Sequence, residues 1–279
     1  MAIQWRVGPR TLVGGPRTLV MGVLNVTPDS FSDGGRFLDH ERAVEHGLRM
    51  VDEGADLLDV GGESTRPGSD SVSVDEEVGR VLPVVKRLVA EVDVPISIDT
   101  RKAEVAAAAL DAGASIVNDV SAGRDPGMFL VARDAAAGLV LMHLLGEPKT
   151  MQDEPRYGDV VREVRQYLAE RIEAAEAAGI DRDRIAADPG LGFGKTSRHS
   201  LTLMRSIDAF LDLGVPIVVG PSRKSFIGAV LGDAPVDQRL EGTAGAVAWL
   251  AGRGANVVRV HDVGTMVKVV AVVDAIRSA

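Results

Sequence analysis

No cysteine occurs in the 279 residues. That absence removes disulfides, thiolate nucleophiles and cysteine metal cages together, and it suits a reducing compartment. Aromatic residues are scarce, at 4%, and the 46% hydrophobic fraction leans on Ala and Val, so a sizeable core is available and disorder is excluded. Positive charge is in deficit: the formal net charge is −9, which gives no basis for the concentrated basic face that nucleic acid requires. Any anionic ligand must be caught by local charge. Long apolar runs are missing too. "MAIQWRVGPRTLV" lacks a signal-peptide core, and the apolar stretch "MVKVVAVVDAI" is cut by Lys268 and Asp274 far short of a membrane span. These absences lead us to expect a soluble cytoplasmic protein that binds neither nucleic acid nor membrane.

What is present is an alternation. Short runs rich in Val, Ile and Leu recur at about residues 19–25, 56–61, 95–99, 115–119, 138–143, 185–188, 216–220 and 256–260. Between them lie segments of helical period or composition, such as "HERAVEHGLRMVDEG", "VDEEVGRVLPVVKRLVAEV", "KAEVAAAALDAG" and "YGDVVREVRQYLAERIEAAEAAG". Gly54, Gly113 and Gly179 close three of these segments, the usual left-handed helix stop. Strand and helix repeated eight times predict an α/β protein, a single-domain (β/α)₈ TIM barrel over residues 1–279, with a doubly wound sheet as the alternative. The hexapeptide "GPRTLV" occurs at 8–13 and again at 15–20, joined through Gly14 and Gly15. It predicts an N-terminal β-hairpin within residues 1–18 that closes the bottom of the barrel.

The strands end on polar groups. In order these are Asn25; Asp59 and Glu63; Asp99; Asn118 and Asp119; His143; Asp188; Ser222 with Arg223 and Lys224; and Arg259, His261 and Asp262. A barrel gathers its strand C-termini on one face, where its active site forms. Helix capping accounts for Asp119 and Asp262, but not for His143, Lys224, Arg259 and His261. Cations come from strands seven and eight, where barrels commonly bind phosphate. Asp99, Asn118 and Asp188 offer the acceptors and amide that a planar, donor-rich heterocycle requires. A heterocycle carrying phosphate fits both halves.

Other motifs fail. "DPGLGFGKT" has Pro189 where a phosphate loop needs Gly, five residues before Gly194, and "GLGFG" lacks dinucleotide-binding spacing. His40, His46, His143, His199 and His261 contain no H-x-x-x-H pair and assemble no zinc cage, and His40, His46 and His199 fall on helix starts or faces where solvation is expected. No serine sits in a nucleophile elbow.

Taken together and in order, "MGVLNVTPDSFSDGG", "DVGGESTRPGS", "ISIDT", "IVNDVSAG", "DPGLGFGKT", "SRKSFIG" and "RVHDV" resemble the dihydropteroate synthase family, across almost the whole chain. The resemblance implies condensation of 6-hydroxymethyl-7,8-dihydropterin diphosphate with 4-aminobenzoate, with diphosphate released in the presence of Mg²⁺. It implies a pterin pocket of Asp99, Asn118, Met142, Asp188 and Lys224. It implies a diphosphate site of Asn25, Arg66, Arg259 and His261, with Asn25 also close to Mg²⁺. Asp99, Lys224, Arg259 and His261 are the implied catalytic set. "TPDSFSDGG" and "STRPGS" resemble the family's two mobile loops, which implies that Phe31, Thr65 and Pro67, with Lys224 and Ser225, meet 4-aminobenzoate or a sulfonamide mimicking it, and that Asp33 helps to fix the first loop. The family also implies a homodimer through helices distant from the mouth. A methyltransferase that shares the barrel and pterin pocket, and a pterin-binding paralogue without catalysis, are the rival readings. Leu144 and Leu145 after His143, Ser200, and Pro221 before "SRKS" depart from the family's common pattern, and Pro221 bears on the geometry at Lys224 because it removes a backbone N–H.

Overall fold

The structure is a computed structural model that describes residues 3–15, 17–27, 35–64, 71–147 and 149–279, with the backbone alone at 35–39. Phe31, Asp33, Thr65, Arg66 and Pro67 therefore lie outside the residues described here.

Two short antiparallel strands, β1 (Ile3–Val7) and β2 (Arg10–Gly14), precede eight parallel ones. The parallel strands are β3 (Leu19–Asn25), β4 (Leu57–Gly61), β5 (Ile96–Asp99), β6 (Ile116–Asp119), β7 (Gly138–Met142), β8 (Ile185–Asp188), β9 (Val218–Val219) and β10 (Val257–Val260). Each pairs with the next in sequence from β3 to β8, and β10 pairs with both β3 and β9. A bridge from Ala187 to Ile217, with Ala187 N–H donating to Pro216 O at 2.9 Å, joins β8 to the residues before β9. The sheet thus closes on itself, which excludes the doubly wound alternative and gives the expected TIM barrel.

The helices outside this barrel are α1 (Gly35–Asp52), α2 (Val74–Glu91), α3 (Ala103–Asp111), α4 (Met128–Asp134), α5 (Val160–Ala177), α6 (Ser197–Arg205), α7 (Asp208–Leu211), α8 (Ser225–Val230), α9 (Leu240–Gly252) and α10 (Val263–Ser278). Their starts are chemically marked: Ser73 Oγ accepts from Glu76 N–H at 3.2 Å before α2, and Asp159 accepts from Val161 and Arg162 N–H at 3.1 Å before α5. On α5 the buried Val160, Val164, Leu168, Ile172 and Ala175 recur at the spacing of one helical face and pack on the barrel. Gly54, Gly113 and Gly179 take φ of +100°, +103° and +92°, as their helix-stopping positions require.

The N-terminal hairpin is present, but its register differs from the repeat-based expectation. It turns at Gly8–Pro9 and pairs residues 3–7 with 10–14, while Leu19 and Val20, at the end of the second repeat, start the first barrel strand. The alternating burial of Trp5 and Val7 decides the outcome. These two side chains pack with Leu12, Leu19, Met21, Leu57, Ile116, Val140, Ala186, Val218 and Val257 at the lower end of the lumen, and Trp5 Nε1 donates to Arg184 O at 2.9 Å. The hairpin therefore seals the bottom with apolar surface while satisfying its one polar ring atom.

Candidate active site

Side chains two residues apart on a strand share a face. From Leu57, Ile116, Val140, Ala186 and Val257 in the apolar floor, one such step toward the strand C-termini leads to Asp59, Asn118, Met142, Asp188 and Arg259. The same lumen thus changes from apolar to ionic within one layer. Registration places Asn25 beside Gly61, Gly61 beside Asp99, and Asp99 beside Asn118 in a single row, with Met142 beside Asp188 across the barrel.

Arg259 ties the lower part of this layer together. Its Nε donates to Asp59 Oδ2 at 2.6 Å and one terminal nitrogen donates to Asp99 Oδ2 at 2.6 Å, while Asn118 Nδ2 donates to Asp59 Oδ2 at 2.9 Å. One guanidinium thus faces two carboxylates that are almost fully buried. Burial lifts Asp99 from its ordinary 3.8 to about 7; Arg259 opposes that rise and the charge of Asp59 reinforces it. Burial works against the Arg259 charge, but Asp59 and Asp99 outweigh it and hold the guanidinium above its ordinary value. Asp59 Oδ1 and Asp99 Oδ1 are buried and have no hydrogen-bond partner among the described residues. Unpartnered buried acceptors cost stability, so this layer is arranged for a donor-bearing ligand rather than for packing.

On the opposite side, Lys224 closes the pocket. Its Nζ donates to Leu191 O and lies 4.1 Å from the centroid of the Phe193 ring. Burial pushes the ammonium down from 10.5 to about 7, with Asp188 and Asp99 acting the other way. Asp188 accepts from Gly190 N–H at 2.7 Å, and burial raises its carboxyl despite that bond and the neighbouring Lys224. A side chain at Gly190 is impossible: φ is +68° and a Cβ would stand 2.0 Å from His143 O. His261 Nδ1 is 3.0 Å from Ser222 Oγ, which also accepts from His261 N–H at 3.2 Å, so the last two strands of the series are tied at the rim. Ser225 begins α8 and is exposed, and Asn25 ends β3 half-buried.

The structure therefore brings Asp99, Asn118 and Arg259 into one bonded network, and Asp188 and Lys224 into one charge system with them. Arg259 contacts the carboxylates in the lumen, where the sequence reading had put it with the anion site alone. Asp119 accepts from Ser121 N–H, Ser121 Oγ and Gly123 N–H and is structural, as expected. Asp262 caps nothing; it accepts both branches of the Arg223 guanidinium. His199 is not simply solvated, because it completes a capping box with Thr196. Pro221 fits without a clash of function: β9 ends at Val219, and Pro221 O accepts from Lys224 N–H at 3.3 Å. Two participants go beyond the expected site residues, Asp59, which the strand-end pattern places on the rim without a ligand role, and Lys195. Asp59 is an acid inside the otherwise apolar "LLDVG", which is an anomaly in a buried parallel strand. Lys195, inside "DPGLGFGKT", is almost fully buried and donates to Phe193 O at 2.9 Å.

Comparison with known proteins agrees with this geometry. The family described as pterin binding enzyme matches residues 21–261. The dihydropteroate synthase of Synechocystis is 45% identical over 97% of this chain and 94% of its own, and that of Mycobacterium leprae 49% identical over 92% of each. The chain belongs to the pterin-binding enzyme family and, within it, to the dihydropteroate synthases. Among solved structures, the Xanthomonas albilineans dihydropteroate synthase with 4-aminobenzoic acid superposes with a TM-score of 0.93 at 47% identity, covering 100% of both chains. The Yersinia pestis enzyme in a sulfonamide drug complex gives 0.94 at 41% identity, covering 99% of this chain and 100% of that one.

Proposed function

We infer that this chain condenses 6-hydroxymethyl-7,8-dihydropterin diphosphate with 4-aminobenzoate to 7,8-dihydropteroate and diphosphate. The observation that carries the reading is the ionic layer of the lumen, in which buried acceptors of Asp59 and Asp99 lack partners among the described residues, beside Asn118, Asp188 and Lys224. A pterin presents ring and amino N–H donors to such acceptors, and the Met142 side chain supplies an apolar face for the ring. In the reaction the methylene C–O bond breaks with its electron pair leaving on diphosphate, the aryl amine's lone pair forms the C–N bond, and the amine releases a proton. Positive charge that builds on the pterin is balanced by Asp99, and negative charge that builds on diphosphate is met by Arg259 and His261.

Magnesium fits this donor set in one way. No cluster of three or more His, Cys, Asp or Glu able to hold a metal exists among the described residues. Asn25 offers a neutral amide oxygen at the mouth, which suits a hydrated Mg²⁺ that takes most of its remaining ligands from substrate phosphates. Bound there, the ion would neutralise charge on the leaving diphosphate. Arg66 joins the diphosphate side in this reading, and Phe31, Thr65, Pro67 and Ser225 with Lys224 hold 4-aminobenzoate, the place a sulfonamide would occupy.

We also place the protein in the cytoplasm, and no described helix is long and apolar enough to cross a membrane. A homodimer through helices distant from the mouth is part of the same reading, and apolar side chains exposed on the outer helices, among them Leu201 on α6, Trp249 on α9 and Val272 and Ile276 on α10, are available to it. An assay of diphosphate release with and without 4-aminobenzoate tests the activity. Release that depends on 4-aminobenzoate and matches dihydropteroate formed is expected; release indifferent to it would defeat the reading.

A further inference from the structure

Lys195 and His143 are both almost fully buried, and the reaction as described uses neither. Lys195 Nζ shares a hydrogen bond with His143 Nδ1 at 2.9 Å and donates to Phe193 O at 2.9 Å and to His143 O at 3.3 Å. The amine thus makes three hydrogen bonds to two different elements, the end of β7 and the loop between β8 and α6, and burial holds it well below its ordinary pKa. Beyond β7 the sheet pairing stops, the last link being His143 N–H to Asp188 O at 3.0 Å, and from there the loop after β8 lies against the residues after β7 without ladder bonds, with Gly190 tight on His143 O and Gly194 tight on Leu145. The loop that leaves β8 at this point supplies Leu191 O, which accepts from Lys224, and the Phe193 ring against which the Lys224 ammonium rests. His143 is confined on its other side by the edge of Tyr167, 4.9 Å away between centroids. Burial, with Lys195 alongside, pushes the imidazole down to about 3, so it stands ready as a neutral acceptor.

We propose that Lys195 is a positioning residue of the pterin site: from behind the pocket wall it straps the loop after β8 to His143 and so fixes the two contacts that aim Lys224. A lysine serving only to stabilise the barrel would be an odd choice, because burying an amine among apolar neighbours costs more than burying a hydrocarbon of the same length. The strap makes sense where a loop must be held to a fraction of an ångström.

The proposal rests on the synthase reading, so turnover and binding are measured separately. Lys195→Met keeps the length and removes all three hydrogen bonds. It should raise KM for the pterin diphosphate and weaken calorimetric affinity for the pterin without diphosphate, lowering kcat/KM about tenfold to a hundredfold. KM for 4-aminobenzoate at saturating pterin should stay within about twofold of the parent value. His143→Leu should reproduce this split, and His143→Asn, which keeps an acceptor oxygen near the Nδ1 position, should recover most of the pterin affinity. If Lys195→Met does not fold, the His143 pair decides by the same readouts. Unchanged pterin affinity in folded Lys195→Met or His143→Leu, equal losses for both substrates, or a His143→Asn as impaired as His143→Leu would overturn it. An inactive parent protein would count against the synthase reading alone, and the difference in pterin affinity would still decide the role of Lys195.

Discussion

The floor and the upper layer of the barrel lumen are built on the same strands, one pleat apart, and they obey opposite rules. In the floor, Leu57, Ile116, Val140, Ala186 and Val257 are closed over by Trp5 and Val7 of the hairpin, with the Trp5 ring nitrogen paired. One pleat higher, Asp59, Asp99, Asn118 and Asp188 are nearly as buried and Arg259 is half-buried, yet among the described residues acceptor atoms of Asp59 and Asp99 go unpartnered and burial raises the carboxyls of Asp99 and Asp188. The floor is optimised for folding. The upper layer gives up stability to be ready for a ligand, the trade expected at a preorganised site.

The largest effect that would sharpen this contrast lies in the floor. Trp5→Ala should lower unfolding free energy by about 3–5 kcal/mol in denaturant titrations. At a temperature where the variant remains folded, its kcat/KM should match the parent's, because the loss is confined to the bottom. In the upper layer the balance reverses. Asp188→Ala removes a buried acceptor from the pterin and should weaken pterin binding by about 2–3 kcal/mol, or roughly a hundredfold in calorimetry. Near-normal pterin affinity in that variant would erase the distinction between the layers.

Smaller effects appear as pH dependence. Lys224, pushed down from 10.5 to about 7, binds fewer protons folded than unfolded between those values, so its contribution to stability rises with pH across that window. Lys224→Met should therefore be more stable than the parent near pH 7, with the advantage shrinking by at most about 1.4 kcal/mol per pH unit toward pH 10.5. An advantage that grew with pH in that range would show that the ammonium is not under strain.

Much of this was legible in the sequence because barrels announce themselves by repetition. The strand runs fell on or within a residue or two of β3 to β10, and polar residues at the ends of "IVND", "IAAD" and "VVRV" marked the upper layer. What the chain did not disclose is pairing across it. Nothing local to "VVRV" says that Arg259 will bond Asp59, 200 residues away, as well as Asp99. Nothing in "GFGKT" says that Lys195 turns back to His143 instead of toward a phosphate. The hairpin register stays open in the sequence for a related reason: the repeat "GPRTLV" offers two equal partners, and only the burial of Trp5 and Val7 in the floor selects one.

The claim that the upper layer forgoes stability for binding is tested most directly by Asp99→Asn, with thermal unfolding and pterin calorimetry measured on the same preparation. The Asp99 carboxyl is raised from 3.8 to about 7, so the folded protein binds more protons than the unfolded chain in that range, and its contribution to stability is lost as pH rises through it. Above that range the parent carries the full cost of a buried carboxylate and the amide does not. The account predicts that Asp99→Asn unfolds at a higher temperature than the parent at pH 8, at a similar temperature near pH 4, and binds pterin about tenfold more weakly. A variant that is less stable at pH 8 and binds pterin as tightly as the parent would contradict it.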